Sequence, residues 1–537
     1  MKLKSIWPAL AGVLSLVGCG GGGGGSSPPP PPVKVSGVVT FDLVPHDLGA
    51  SSLDYGSTFQ SPARGVAVEA IDAGSGVTIL ASSSTDETGA YSLDVAPDTQ
   101  MFIRVKAQMA TGGSPAWNFR VIDNTNGGAL YVLDGANFNS GSGTTRNLNA
   151  GSGWGGAFYD GVRAAGPFAI LDAVYVAFNK VLEADPGTVF PGLDINWSVN
   201  NVPVSGEIED GEIGTSFYNG DAIFLLGRED NDTDEYDDHV IIHEWGHYFE
   251  AQFARSDSIG GSHGGGDYLD MRLAFGEGWG NAFSGMATDD PFYRDSFGSQ
   301  QEFGFDIDVE SNNPAATNNG WFSESSVQSI LYDVYDAADD GVDSVSLGFA
   351  PIFQILTGEQ RDTPALTSIF PFITALKAAN PAEAANIDAV VQGQDIVSVT
   401  IDAFGSGETN SAGEAQDVLP IYTPITVGGG SVQVCSIGGV TADPGTFNKL
   451  SISRFLRFSV DAQATYTFTA TGAPGDDPDM ILHDRGAGLV VSKDTNPDGS
   501  ETFTQSLAPG EYVLEVYEFG NLLPPAAGRA CFDITIT

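Results

Sequence analysis

The sequence predicts a multidomain fold: an α+β domain built around one histidine-bearing helix, flanked by N-terminal and C-terminal β-sandwich domains. Three observations carry this. Short runs of β-branched and aromatic residues, broken by Gly, Asp and Ser, fill residues 35–112 and 429–537. Between them, apolar residues recur at helical spacing in several segments. One such segment holds His243-Glu244-Trp245-Gly246-His247, and residues four apart on a helix face the same way. A chain of 537 residues is also too long for one core.

The formal charge is −47, from 69 acidic and 22 basic residues. Phosphate backbones reward Lys and Arg, so nucleic acid is not an expected partner. The charge reads as solubility in an extracellular or salty medium.

Met1 to Gly18 reads as an export signal, with Lys2 and Lys4 ahead of a short apolar core from Ile6 to Val17. That core is too short for a membrane-spanning helix. Leu16-Val17-Gly18-Cys19 resembles a bacterial lipobox. The resemblance implies lipidation at Cys19 and a lipid anchor to a bacterial membrane, at the outer membrane or cell surface. An ordinary secretory signal with an incidental cysteine is the alternative. Residues 20–34, glycines then prolines, form a linker. Residues 35–112 are the first expected sandwich, where Thr85-Asp-Glu-Thr-Gly-Ala-Tyr-Ser-Leu is similar to a turn and strand of carboxypeptidase-regulatory-like modules. Residues 113–400 form the expected central domain. Its helix from Ala164 to Leu182 carries Phe168, Leu171, Val174, Tyr175 and Phe178 as a core stripe. Gly, Ser and acidic residues suggest a second linker at 401–428. In the last domain, 429–537, Cys435 and Cys531 can pair in an oxidising compartment.

The central helix is expected from His239 to Arg255. His243 and His247 can grip one metal ion from the same face, and the Glu244 carboxylate beside them can take a proton from water. His239, one turn earlier, is either a further ligand or simply a residue near the helix start. Ahead of the helix, Asp230, Asp232 and Asp234 alternate as calcium ligands do. The glycine and distant glutamate of an EF-hand are missing. The stretch is therefore either an irregular Ca²⁺ site or an acidic loop that caps the helix through Asp237 or Asp238.

Two histidines do not complete a zinc site. The pattern H-E-x-x-H-x-x-G-x-x-H is excluded, because Glu250 and Phe253 occupy its last two positions. Phe275-Gly-Glu-Gly-Trp-Gly-Asn offers Glu277 instead. Asn281 follows one turn later, suited to hold a ligand histidine by its second nitrogen.

H-E-W-G-H followed by G-E-G-W-G-N resembles the gluzincin metallopeptidases, and the G-E-G-W is similar to the fungalysin branch. The resemblance covers roughly residues 220 to 340. It implies a zincin fold, Zn²⁺ on His243, His247 and Glu277, and Glu244 as the base for attack of zinc-bound water on a peptide bond. It further implies a protein or peptide substrate, an endopeptidase activity, and Ala222 to Leu226 as an edge strand beside the helix. The C-terminal β-region is similar to sandwich domains that follow secreted bacterial peptidases. Two departures stand out. Asn281 occupies a position where the family usually has Asp, and a longer gap between the motifs carries His263 in a glycine-rich insert. His263 is either a gate or substrate contact, or a plain loop residue. The oxyanion requires a donor besides the metal. Tyr332 or Tyr335, on a helix expected over Ser323 to Asp336, can serve, as can His263 or Tyr268. Both Tyr332 and Tyr335 also suit a packing role. The rival reading is a surface adhesion or glycan-binding lipoprotein with an inactive zincin domain.

Overall fold

The computed structural model describes residues 30–311, 318–337, 344–439, 446–484, 488–493 and 499–537. Cys19 and the expected export segment lie outside them. The chain is multidomain and rich in β-sheet, with eight α-helices among the described residues. None of those helices is long and apolar enough to cross a membrane.

At the N-terminal end, strand Val33–Leu43 pairs antiparallel with Ala90–Val95 and buries Val35, Val39 and Phe41 on one face. This is the two-residue alternation of a sheet covered on one side. Its core is shared with a larger sheet in the order Ile79–Ser84, Val66–Asp72, Gln100–Thr111, Trp117–Asp123, Leu193–Trp197, Ala222–Leu225, Phe217–Tyr218. This sheet runs through the boundary expected at residue 112, and one core joins Val35 and Ile103 to Trp245 and Phe283. Gly112-Gly113-Ser114-Pro115 has a linker's composition, yet it turns a hairpin that pairs Thr111 with Trp117. Glycine and proline mark tight turns and linkers alike.

Helices α1 (Gly166–Ala184) and α2 (Asp238–Phe253) pack against this sheet, α3 (Met271–Thr288) packs on them, and α4 (Glu324–Tyr335) packs on α3. Asp237 stands at the N-cap of α2, but its carboxylate caps no helical N–H. It accepts instead from Ser296 N at 3.0 Å and lies 3.0 Å from His46 Nε2. Those contacts tie strand Phe292–Phe297 and the N-terminal region to the start of α2. Helices α2 and α3 meet through Trp245, Phe249, Trp279 and Phe283, which stack on one another and are fully buried.

The C-terminal domain is a sandwich of two sheets. One is ordered Tyr422–Pro424, Arg454–Val460, Gly510–Glu518, Pro478–Asp484, Gly488–Lys493. The other runs Val432–Ser436, Ala530–Ile536, Ala464–Thr471, Ser500–Leu507. Leu456 and Leu514 from the first meet Phe468 and Phe532 from the second in a separate core. A disulfide joins Cys435 to Cys531. The stretch expected as a linker, 401–428, contributes the first strand of this domain and buries Val418, Ile421 and Tyr422. Its acidic residues bind backbone: Glu408 accepts from Val397 N, Thr409 N and Asn410 N.

One buried ion pair joins the C-terminal sandwich to α3. Arg272 donates to Glu515 from Nη1 and Nη2, both at 2.9 Å, and to Asp270, the N-cap of its own helix. Burial pushes the Glu515 carboxyl up, but Arg272 and His483 overrule it and hold it well below the usual carboxylate range. A depressed carboxyl contributes stability above its unfolded pKa and loses it as pH falls. Glu515→Gln should therefore cost about 3 kcal/mol at pH 7 in urea unfolding, with the difference from wild type closing below roughly pH 4. A difference that is constant with pH would contradict this.

Candidate metal centre

Helix α2 presents His243 and His247 one turn apart on the face turned toward α3, and α3 returns Glu277. His243 Nε2 lies 3.0 Å from His247 Nε2 and 3.2 Å from Glu277 Oε2, and His247 Nε2 is 3.4 Å from the same oxygen. Around a tetrahedral ion with bonds of about 2.0–2.1 Å, ligand atoms stand roughly 3.3 Å apart. The three donors are already spaced for such an ion. Two imidazole nitrogens and a carboxylate oxygen are also a donor set that zinc accepts.

The orientation of His243 is fixed from behind. Its Nδ1 donates to Asn281 Oδ1 at 2.8 Å, which leaves the Nε2 lone pair facing the centre. The Asn281 amide is oriented in turn by Nδ2 donating to Gln328 Oε1 at 2.9 Å. Gln328 comes from α4, and no sequence spacing relates it to the histidines. The packing requires glycine at two α3 positions. A Cβ on Gly280 would stand 2.7 Å from the His243 ring, and one on Gly278 would stand 2.6 Å from Val327 of α4.

Glu244 Oε2 accepts from Tyr218 N at 2.7 Å. Burial raises the Glu244 carboxyl from its ordinary value. Tyr218 belongs to the outermost strand, Phe217–Tyr218, which covers Ala222–Leu225. The edge strand was expected at Ala222 to Leu226; the strand there, Ala222–Leu225, is instead second from the edge. A cleft of about 930 Å³ opens over Glu244, His247 and Glu277, walled by Gly214–Tyr218 on one side and Ser256–His263 on the other.

His263 is brought to the centre. Its Nε2 lies 3.2 Å from Glu277 Oε2 and 3.6 Å from Glu324 Oε2, while Nδ1 is 3.1 Å from Gly261 O. Burial works against its charge, but Glu277 overrides it and raises the imidazole to about 10. Glu324, from the first turn of α4, is buried and its Oε2 makes no hydrogen bond. Burial pushes it up to about 6. Sequence reading missed it, although the helix expected over Ser323 to Asp336 contains it.

Tyr332 is not brought to the centre. Its ring lies against Gly285, eight residues past Glu277 and so roughly 12 Å further along α3. Tyr335 donates to Asp289 and Met286 O on the same remote side. His239 is turned away to Ser284 Oγ at 3.0 Å, and burial lowers it to about 3.

A second group of donors forms beside strand Phe292–Phe297. Asp232 and Asp234 converge there with Asp295, their carboxylate oxygens within 4.8 Å of one another. Asp230 stays outside, accepting from Gln300 N at 2.9 Å, so the set differs from the three alternating residues expected. Asp295 arrives from a strand 61 residues beyond Asp234, where no local spacing could reveal it. Burial raises all three carboxyls, and repulsion within the cluster and from Asp237 adds to it. Oxygen-only donors of this kind suit Ca²⁺.

No family model matches the sequence, and no curated protein matches it. Parts of the chain are similar to solved structures. The pre-peptidase C-terminal domain of a collagenase from Bacillus anthracis shares 13% identity, with 22% of this chain and 94% of that one covered, at a TM-score of 0.16. CorA, a surface-associated copper-binding protein of Methylomicrobium album BG8, shares 10%, covering 22% and 98%, at 0.17. A carbohydrate-binding module of Cellvibrio mixtus lichenase 5A shares 13%, covering 20% and 86%, at 0.13. Likenesses at this level carry no weight for the centre.

Asn281→Ala should weaken zinc binding about 10–100-fold in competition with a chelator, because His243 loses its fixed orientation. Unchanged affinity would remove Asn281 from this role. For the aspartate cluster the sign runs the other way from Glu515. Raised carboxyls favour the folded state at low pH and oppose it as pH rises above the ordinary carboxylate range. The melting temperature without divalent cation should fall from about pH 5 to pH 8, and millimolar Ca²⁺ should restore it at pH 8, but not in Asp295→Asn. No calcium effect at pH 8 would exclude the site.

Proposed function

We propose that the chain is a zinc-dependent metallopeptidase of the gluzincin kind, cleaving protein or peptide substrates from a lipid anchor at Cys19 on a bacterial surface. The observation that carries this is the convergence of His243, His247 and Glu277 at zinc spacing, with His247 and Glu277 lining a cleft that also holds Glu244. Bound there, zinc supplies a Lewis acid that polarises the scissile carbonyl and acidifies water.

The chain's own groups do the rest. An extended substrate lies along Phe217–Tyr218, whose outer edge faces the cleft. Glu244 is held through one oxygen by Tyr218 N, which leaves the other oxygen to take the proton from water. The same carboxyl then delivers that proton to the leaving nitrogen. Burial raises the Glu244 carboxyl, the direction that suits a group which must both take and return a proton. His263, on the opposite wall, donates from Nε2 to the carbonyl oxygen as negative charge develops. His263 reaches the ligand set through Glu277, whereas Tyr332 and Tyr335 lie on the remote side of α3.

Glu244→Gln should keep one zinc per chain and lower kcat at least about 10³-fold on a peptide library. His263→Ala should lower kcat about 10²-fold, and Tyr332→Phe should leave it within about twofold. Cleavage by Glu244→Gln at the wild-type rate, or zinc without cleavage by the wild type, would refute the peptidase reading.

A further inference from the structure

The loop that carries His263 has little structure of its own. Gly260, Gly261, Gly264, Gly265 and Gly266 lie around the histidine, and glycine gives up more backbone freedom on ordering than any other residue. Within the loop, Asp267 N donates to Gly264 O at 3.1 Å. The stronger hold comes from the C-terminal domain, from the stretch between strands Val432–Ser436 and Arg454–Val460.

Asn448 Nδ2 donates to Gly260 O and to Ser262 O, each at 3.0 Å. Lys449 Nζ donates to Ser262 O at 3.1 Å and to Asp267 Oδ2 at 2.7 Å. Asn448 is 0% and Lys449 2% exposed, so both hold the loop out of water, where a lost hydrogen bond is costly. Backbone bonds flank them: Asp270 N to Asn448 O at 2.8 Å and Leu450 N to Tyr268 O at 2.9 Å. The carbonyls on both sides of Gly261 are therefore clamped, directly ahead of His263, and Gly261 O between them lies 3.1 Å from the His263 Nδ1.

We infer that Asn448 and Lys449 are positioning residues for His263, and that the C-terminal sandwich is a working part of the metal centre and not a detachable accessory. The effect on catalysis rests on the peptidase reading. The hold on the loop does not.

The test uses the full chain as wild type, Lys449→Met, His263→Ala and the double variant. Lys449→Met should lower kcat about tenfold with KM and zinc content unchanged. In the His263→Ala background the same change should cost less than about twofold, because the residues act through one another. Hydrogen–deuterium exchange should quicken across residues 258–266 and stay unchanged in α2 and α3. Equal losses in both backgrounds, or unchanged exchange in the loop, would overturn the inference. Asn448→Ala replaces Lys449→Met if that variant does not fold, with the same expectations. If the wild type cleaves nothing, the peptidase reading fails by itself and loop exchange still decides whether the clamp exists.

Discussion

The close crossing of α2 and α3 is the constraint on which the rest depends. At Gly246 and Gly280 the two helices approach with no side chain between them, and Trp279 Nε1 donates to Gly246 O across the gap at 3.0 Å. Interior glycines weaken a helix by about 1 kcal/mol each relative to alanine. Helix α3 carries Gly276, Gly278, Gly280 and Gly285. The opposing term is larger. Each buried aromatic ring removes about 150–250 Å² from water, worth roughly 4–6 kcal/mol before conformational entropy. Four such rings line the crossing. The gain in function is positional: with the helices this close, one face of α3 reaches both nitrogens of one imidazole, Glu277 at Nε2 and Asn281 at Nδ1.

What could be read from sequence followed this division between local and distant. Helical spacing placed α2 over 239–255, and the structure has Asp238–Phe253. It also placed α1 and α4 within about two residues of their ends, as element boundaries generally allow. His243, His247, Glu277 and Asn281 were legible because each pair sits one helical turn apart within an element. Gln328, Glu324 and Asp295 were not, because each reaches its partners from another element. Tyr332 shows the converse: it stood at a plausible distance along the chain, but α4 runs alongside α3, from Val327 at Gly278 to Tyr332 at Gly285, and carries it past the centre. Composition misled at 112–116 and 401–428, where turn residues and backbone-binding carboxylates have the makeup of a linker.

Electrostatics separates two kinds of buried charge in the same chain. Arg272 and Glu515 are fully paired, with Asp270 and His483 completing the set, so burial strengthens their attraction. Asp232, Asp234 and Asp295 face one another with no basic partner among the described residues, and burial raises their carboxyls, which favours holding a proton.

The disulfide between Cys435 and Cys531 gives the C-terminal domain the topology of a closed ring. Asn448, Lys449, His483 and Glu515 all lie inside that ring. A peptide bond cut anywhere between the two cysteines opens one loop and releases neither piece, since the sulfur bridge still joins them. The contacts that hold α3 and the His263 loop are thereby protected against nicking by covalent connection as well as by folding.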